Sequence, residues 1–159
     1  ATFHACPIEI QHAVSPCMCN SFMRAPYDVD HICSFIRLLY AERVRYHRGV
    51  TEIAPGLTVH EVGGHSPGLQ FAAVETNRGR VAIASDAMHY FDNMLLLRPY
   101  PVVHDIPSYF AAIAATHTRL LKLLYFDFNL MEAGVDVHAL NEVSAELILT
   151  FSVKACRKA

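Results

Sequence analysis

Two short stretches carry the residue types that can do chemistry. In Val62-Gly63-Gly64-His65-Ser66-Pro67-Gly68 a single imidazole stands among small or rigid residues, and about twenty residues later Val81-Ala82-Ile83-Ala84-Ser85-Asp86-Ala87 ends an apolar run in a carboxylate. The glycines and the Pro-Gly pair permit a tight turn, so the His65 imidazole projects from a fixed point. Asp86 stands where a buried strand runs out. A carboxylate does not stay unpaired inside a sheet, so this one faces a cleft. An imidazole and a carboxylate on neighbouring strand ends are the donor types that a two-metal hydrolytic site uses. Each residue also has a plainer reading: His65 as a turn histidine bonded to backbone, and Asp86 as a cap at a strand end.

For the two residues to meet, the strands before them must lie in one sheet. Leu57-Thr58-Val59-His60-Glu61-Val62 and Val44-Arg45-Tyr46-His47 alternate apolar with polar residues, the period of half-buried strands. Phe71 to Glu75 and Val81 to Ser85 bracket Thr76-Asn77-Arg78-Gly79, a hairpin turn, which predicts an antiparallel pair. Val81 to Ser85 is then a buried central strand, and Thr58 to Val62 pairs beside Phe71 to Val74. Asp28 or Asp30 caps a helix whose apolar positions Ile32, Phe35, Ile36, Leu39 and Tyr40 share one face, expected to cover the cleft or the sheet. Ser108 is expected to cap a second helix running through Leu124, with Phe110, Ile113, Ala114, Leu120 and Leu121 packing on a sheet. Residues 1–26 read as irregular, broken by Pro7, Pro16 and Pro26. Leu140, Val143, Leu147, Ile148 and Phe151 recur at helical spacing, which predicts a terminal amphipathic helix.

Glu52-Ile53-Ala54-Pro55-Gly56-Leu57-Thr58-Val59-His60, then Gly63-Gly64-His65-Ser66-Pro67-Gly68-Leu69-Gln70, then Ala84-Ser85-Asp86-Ala87-Met88-His89-Tyr90 follow one another in order along residues 41–121. In that order the chain resembles the metallo-β-lactamase-fold hydrolases, and among them the N-acyl homoserine lactonase-like branch. The resemblance implies an α/β (α+β) fold, a partial αββα sandwich, with a dinuclear centre of zinc or another divalent metal at the sheet edges. It implies His65 and Asp86 as metal ligands, with Asp86 bridging both ions. It also implies His89 beside Asp86 in the catalytic centre, orienting the substrate, with Tyr90 alongside. The substrate class it implies is a lactone or another ester.

The family's His-x-His-x-Asp-His block is not present. Its nearest counterpart, Pro26-Tyr27-Asp28-Val29-Asp30-His31, reads as a helix start, and Tyr125-Phe126-Asp127-Phe128-Asn129 stands where a Pro-Gly-His-Asp-Pro segment belongs. The chain therefore reads as a piece of such a hydrolase: a partial domain over residues 1–124 and a divergent, helical tail over 125–159. With two matching ligands where a catalytic zinc takes three and a water, weak metal binding and little turnover are expected. The alternative is a non-catalytic remnant that associates through an exposed sheet edge or its tail.

Composition narrows the classes further. At 159 residues and 53% hydrophobic the chain can bury a core of its own. A net charge of −2 lacks the basic face that nucleic acids require. No apolar stretch suits a membrane span and residues 1–10 do not read as a signal peptide, so the chain reads as cytoplasmic with small-molecule partners. Five cysteines do not pair completely, and free thiols are the simpler account. Cys17, Cys19, Cys33 and His31 match no common structural zinc spacing. His60, His104 and His117 read as ordinary surface or half-buried imidazoles.

Overall fold

The order of strands along the sheet decides where the chemistry can sit. The computed structural model describes residues 1–77, 79–119 and 122–124. Five strands, β3 (Val50–Ala54), β4 (Leu57–Glu61), β5 (Gln70–Thr76), β6 (Gly79–Ile83) and β7 (Lys122–Leu124), form one sheet in that order. β1 (Phe3–Ala5) and β2 (Val44–Tyr46) form a separate parallel pair. The helices are α1 (Pro7–Ala13), α2 (Ser21–Arg24), α3 (Val29–Tyr40), α4 (Phe91–Leu95) and α5 (Ile106–Arg119). The architecture is mixed helix and sheet, as the sequence implied.

The hairpin and its neighbour follow the sequence pattern. β5 and β6 pair antiparallel with Thr76 opposite Gly79, and Thr58 on β4 lies opposite Ala73 on β5. Both faces of β5 are covered, because Phe71 and Ala73 cluster with Ala82 while Ala72 and Val74 cluster with Leu57. Such a strand reads as an unbroken apolar run. Since β4 and β6 each run antiparallel to β5, they run parallel to one another and end at the same edge of the sheet. They are separated by β5, so the strand ends bearing His65 and Asp86 are next-but-one neighbours. β7 lies parallel to β6, which requires a crossover, and α4 and α5 supply it.

Several expectations need correction. Residues 1–26 are not irregular: β1, α1, a 3-10 turn over Pro16–Cys19 and α2 all fall there. Pro7 and Pro16 start elements, because the first helical turn has no use for the N–H that proline lacks. Asp28 does cap α3, accepting from the Asp30 backbone N–H at 2.8 Å, but Tyr40 is 85% exposed. The apolar side of α3 turns Ile32 and Phe35 toward Ala5, Cys6 and Ile10 around a small cavity. α5 begins at Ile106, where Asp105 accepts from the Ser108 backbone N–H at 2.7 Å, and it ends at Arg119. Its buried side is Tyr109, Ala112 and Ile113, while Phe110 and Ala114 are exposed. Ser85 leaves the strand with φ +50° and opens a 3-10 turn over Ser85–Ala87. Leu120, Leu121 and the helix expected over 138–153, with the whole 125–159 tail, lie outside the described residues. Among the described residues no helix is long and apolar enough to cross a membrane.

Imidazoles tie the N-terminal layer together. His4 on β1 and His47 after β2 are hydrogen bonded, Nδ1 to Nε2 at 2.7 Å, with rings stacked at 4.9 Å. Burial, and then the neighbouring His4, hold the His47 pKa below its ordinary 6.5. Burial and His104 do the same for His12. A depressed histidine pKa means that the unfolded chain binds more protons as pH falls through about 6.5, so stability declines below that value until the folded pKa is passed. Carboxylate losses such as that of Glu61, whose pKa is lowered because the Arg48 and Gly49 bonds outweigh burial, grow mainly as pH falls through 4.5 and below. The thermal midpoint should therefore fall between about pH 7 and about pH 5, and replacing His12 and His47 by Gln should flatten that slope. A midpoint that does not move in this window would contradict the assignment.

Candidate metal centre

Beyond β4 the chain makes a turn held from two sides. The Val62 and Gly63 N–H groups both donate to the Leu69 carbonyl, at 2.9 and 3.1 Å, which closes the loop. Gly64, at φ +91°, passes so near α5 that a Cβ there would lie 2.7 Å from the Tyr109 Cα. Its carbonyl accepts from the His104 and Asp105 N–H groups at 2.8 and 3.0 Å. At the other end of the turn a Cβ on Gly68 would lie 2.4 Å from the Glu9 backbone nitrogen on α1. The Glu9 carboxylate completes the hold, accepting from Ser66 Oγ at 2.7 Å, from the Gly68 N–H at 2.9 Å and from the Tyr27 hydroxyl at 3.0 Å. Burial, together with the Glu9 charge, pushes the Tyr27 pKa far above the ordinary phenol value, so this hydroxyl stays a donor.

That turn fixes the His65 ring. Its Nδ1 lies 2.7 Å from the Val102 carbonyl oxygen, which can only accept, so Nδ1 carries the proton and Nε2 presents a lone pair. Backbone anchoring of one ring nitrogen was the plainer reading of this histidine. It is equally what a metal-bound histidine needs to fix its tautomer. Nε2 faces Asp86 Oδ2 at 3.8 Å.

Asp86 arrives from the other strand end. The left-handed Ser85 and the 3-10 turn swing the chain out of β6, and Asp86 emerges with its side chain 18% exposed. Three residues on, His89 returns to the same point, its Nε2 3.3 Å from Asp86 Oδ1 and its ring centroid 4.9 Å from that of His65. The ligand atoms of His65, Asp86 and His89 all lie within 4.8 Å of one another. Two imidazoles and a carboxylate are a donor set that suits zinc and other first-row divalent ions.

Tyr100 was not foreseen. Its ring lies flat on His89, centroids 3.8 Å apart and planes at 7°, fixing the imidazole plane. Buried Asn93 holds the segment that delivers it, accepting from the Tyr90 N–H at 2.8 Å and donating to the Arg98 carbonyl at 2.8 Å. Tyr109 lies beneath the centre, fully buried, its phenol pKa raised by burial and, to a lesser extent, by Asp86. Tyr90 is 62% exposed and stands at the rim, its ring 6.2 Å from Tyr100. His60 is stacked on Phe71 at 4.5 Å. Cys17, Cys19 and Cys33 are exposed free thiols, and among the described residues only His65, Asp86 and His89 form a group able to hold a metal.

No protein-family model matches the chain, and no curated protein matches it. Solved structures do. An N-acyl homoserine lactone hydrolase with the product N-hexanoyl-L-homoserine at its catalytic metal centre superposes with a TM-score of 0.63 at 20% identity, over 84% of this chain and 49% of the other. A mutant of B. thuringiensis AiiA with N-decanoyl-L-homoserine at its active site gives 0.64 at 20% identity, over 86% of this chain and 51% of the other. A quorum-quenching N-acyl homoserine lactone hydrolase gives 0.60 at 20% identity, over 77% and 46%. The chain thus shares the fold of metallo-β-lactamase-type hydrolases, lactonases included, and spans about half the length of these structures.

The hold on the turn has a measurable consequence. Gly49 also has positive φ, +64°, but nothing lies within 4 Å of where its Cβ would be. Gly49→Ala should cost about 1 kcal/mol, the strain of a left-handed residue alone. Gly64→Ala meets the α5 backbone as well and should cost about 3 kcal/mol or more. Urea denaturation of the two variants checks this, and equal losses would mean that α5 does not clamp the turn.

Proposed function

We propose that the chain is a metal-dependent hydrolase acting on a lactone or another ester, with His65 and Asp86 as metal ligands. The observation that carries the proposal is the convergence of His65, Asp86 and His89 at the common edge where β4 and β6 end. The N-acyl homoserines held by two of the structural neighbours favour a lactone substrate.

The donors fit one divalent ion. His65 and Asp86, with His89 beside them, would hold that ion, whereas a second ion would need donors beyond the described residues. A bound ion supplies Lewis acidity toward the acyl carbonyl and hydroxide at neutral pH. The protein's own part is positional. Val102 fixes the His65 tautomer, so the neutral ring presents its lone pair at Nε2. The Asp86 carboxylate lies between the two imidazoles and would offset part of the charge of a divalent cation. The flat Tyr100 ring and the exposed Tyr90 ring at the rim offer an apolar surface for the acyl part of a substrate.

Lactone opening followed by proton release tests the reading. With zinc added, the chain should open N-hexanoyl homoserine lactone above the uncatalysed rate, and His65→Ala or Asp86→Ala should each lower kcat/KM by more than about 100-fold. Unchanged turnover in either variant would remove the site.

A further inference from the structure

We propose that Tyr109 is a positioning residue for the metal centre, its buried hydroxyl donating to the Asp86 carboxylate when a divalent ion binds. The proposal rests on the metal-dependent reading above and adds to it a side chain that touches neither substrate nor ion.

Packing alone does not account for a tyrosine at this position. The side chain is fully buried, and among the described residues its hydroxyl has no hydrogen-bond partner of good geometry. The phenol oxygen is turned toward the Tyr100 backbone N–H, which is itself a donor, so the hydroxyl hydrogen needs a different acceptor. A buried O–H without one costs folding free energy, and phenylalanine would fill the same space without that cost. An unpaired polar group in a packed interior points to a role outside packing.

Placement names the acceptor. The Tyr109 backbone is the one that Gly64 passes, so the residue is fixed against the turn that carries His65. α5 also packs against the 3-10 turn over Ser85–Ala87, and of its buried residues Tyr109, Ala112 and Ile113 only Tyr109 has a polar side-chain atom. The segment of Tyr100, whose ring lies on His89, closes the third side. The three segments that build the centre therefore meet at one phenol. Burial, and to a lesser extent the Asp86 charge, hold its pKa above the ordinary phenol value, so it stays a proton donor. The two Asp86 oxygens face His89 and His65 at 3.3 and 3.8 Å, and a carboxylate has lone pairs for further donors beside them. A metal-bound carboxylate that is hydrogen bonded in turn keeps its orientation.

Tyr109→Phe separates this role from packing. Titration with Co²⁺, followed by calorimetry and visible absorption, should show affinity weakened by about 10-fold or more in the variant. Its metal-free thermal midpoint should equal or exceed that of the wild-type chain, because the unpaired hydroxyl is gone. With excess Co²⁺ the order of the midpoints should reverse, since the tighter binder gains more from the ion. Wild-type affinity in Tyr109→Phe would overturn the inference and leave the hydrolase reading standing. A metal-free midpoint several degrees lower would overturn it too, because the hydroxyl would then be paired within the fold. No Co²⁺ binding by the wild-type chain would overturn both.

Discussion

The approach of one glycine turn to two helix backbones is the constraint on which the rest of this structure depends. Gly64 touches α5 at Tyr109, and Gly68 touches α1 at Glu9, at separations that leave no room for a Cβ. Sterics of this kind cannot be relaxed by a rotamer change, because backbone meets backbone on both sides. Polar contacts then reinforce what the shape requires. Hydrogen bonds to a charged group contribute about 1.5–3 kcal/mol each, and Glu9 accepts three. The consequence is a His65 backbone held from both sides, with the ring anchored in turn on Val102. A metal ligand on a loop needs this kind of fixing if it is to act like one on a strand.

Topology supplies the second half of the geometry. An antiparallel β4-β5-β6 meander puts the ends of β4 and β6 at one edge, so the two segments that follow must share space above the start of β5. One is the clamped turn, and the other is the 3-10 turn that carries Asp86 and His89. The crossover to β7 then has to pass the same edge, and it brings Tyr100 and Val102 onto the two imidazoles. Each ring is thus supported by a segment that the parallel β6-β7 pairing obliges to be there.

Much of this was legible locally. Alternation over Leu57 to Val62, and a short Asn-containing turn between two apolar runs, are short-range signals, and they fixed β4, β5 and β6. His65 and Asp86 stood out because glycine, proline and a strand end constrain their own neighbourhoods. What escaped the reading depends on distant partners. Glu9 is 57 residues from Ser66, and nothing around it marks it as the holder of a turn. Tyr100 acts through a ring eleven residues earlier in the chain, and its flanking prolines say only that it is in a loop. The start of α5 was misplaced because Asp105 and Ser108 are both good caps, and Pro107 is tolerated in a first turn. The prolines of residues 1–26 misled for the same reason, since a proline at an element's start and one that breaks it look alike in sequence.

Location of the ion itself is the most direct measurement of whether turn and strand end deliver their side chains to one point. Anomalous diffraction from crystals of the chain grown with zinc should show a peak about 2 Å from His65 Nε2 and an Asp86 oxygen, in the hollow that His89 lines. A peak bound elsewhere, or one near His65 and Asp86 with His89 turned away, would contradict the convergence on which the centre is built.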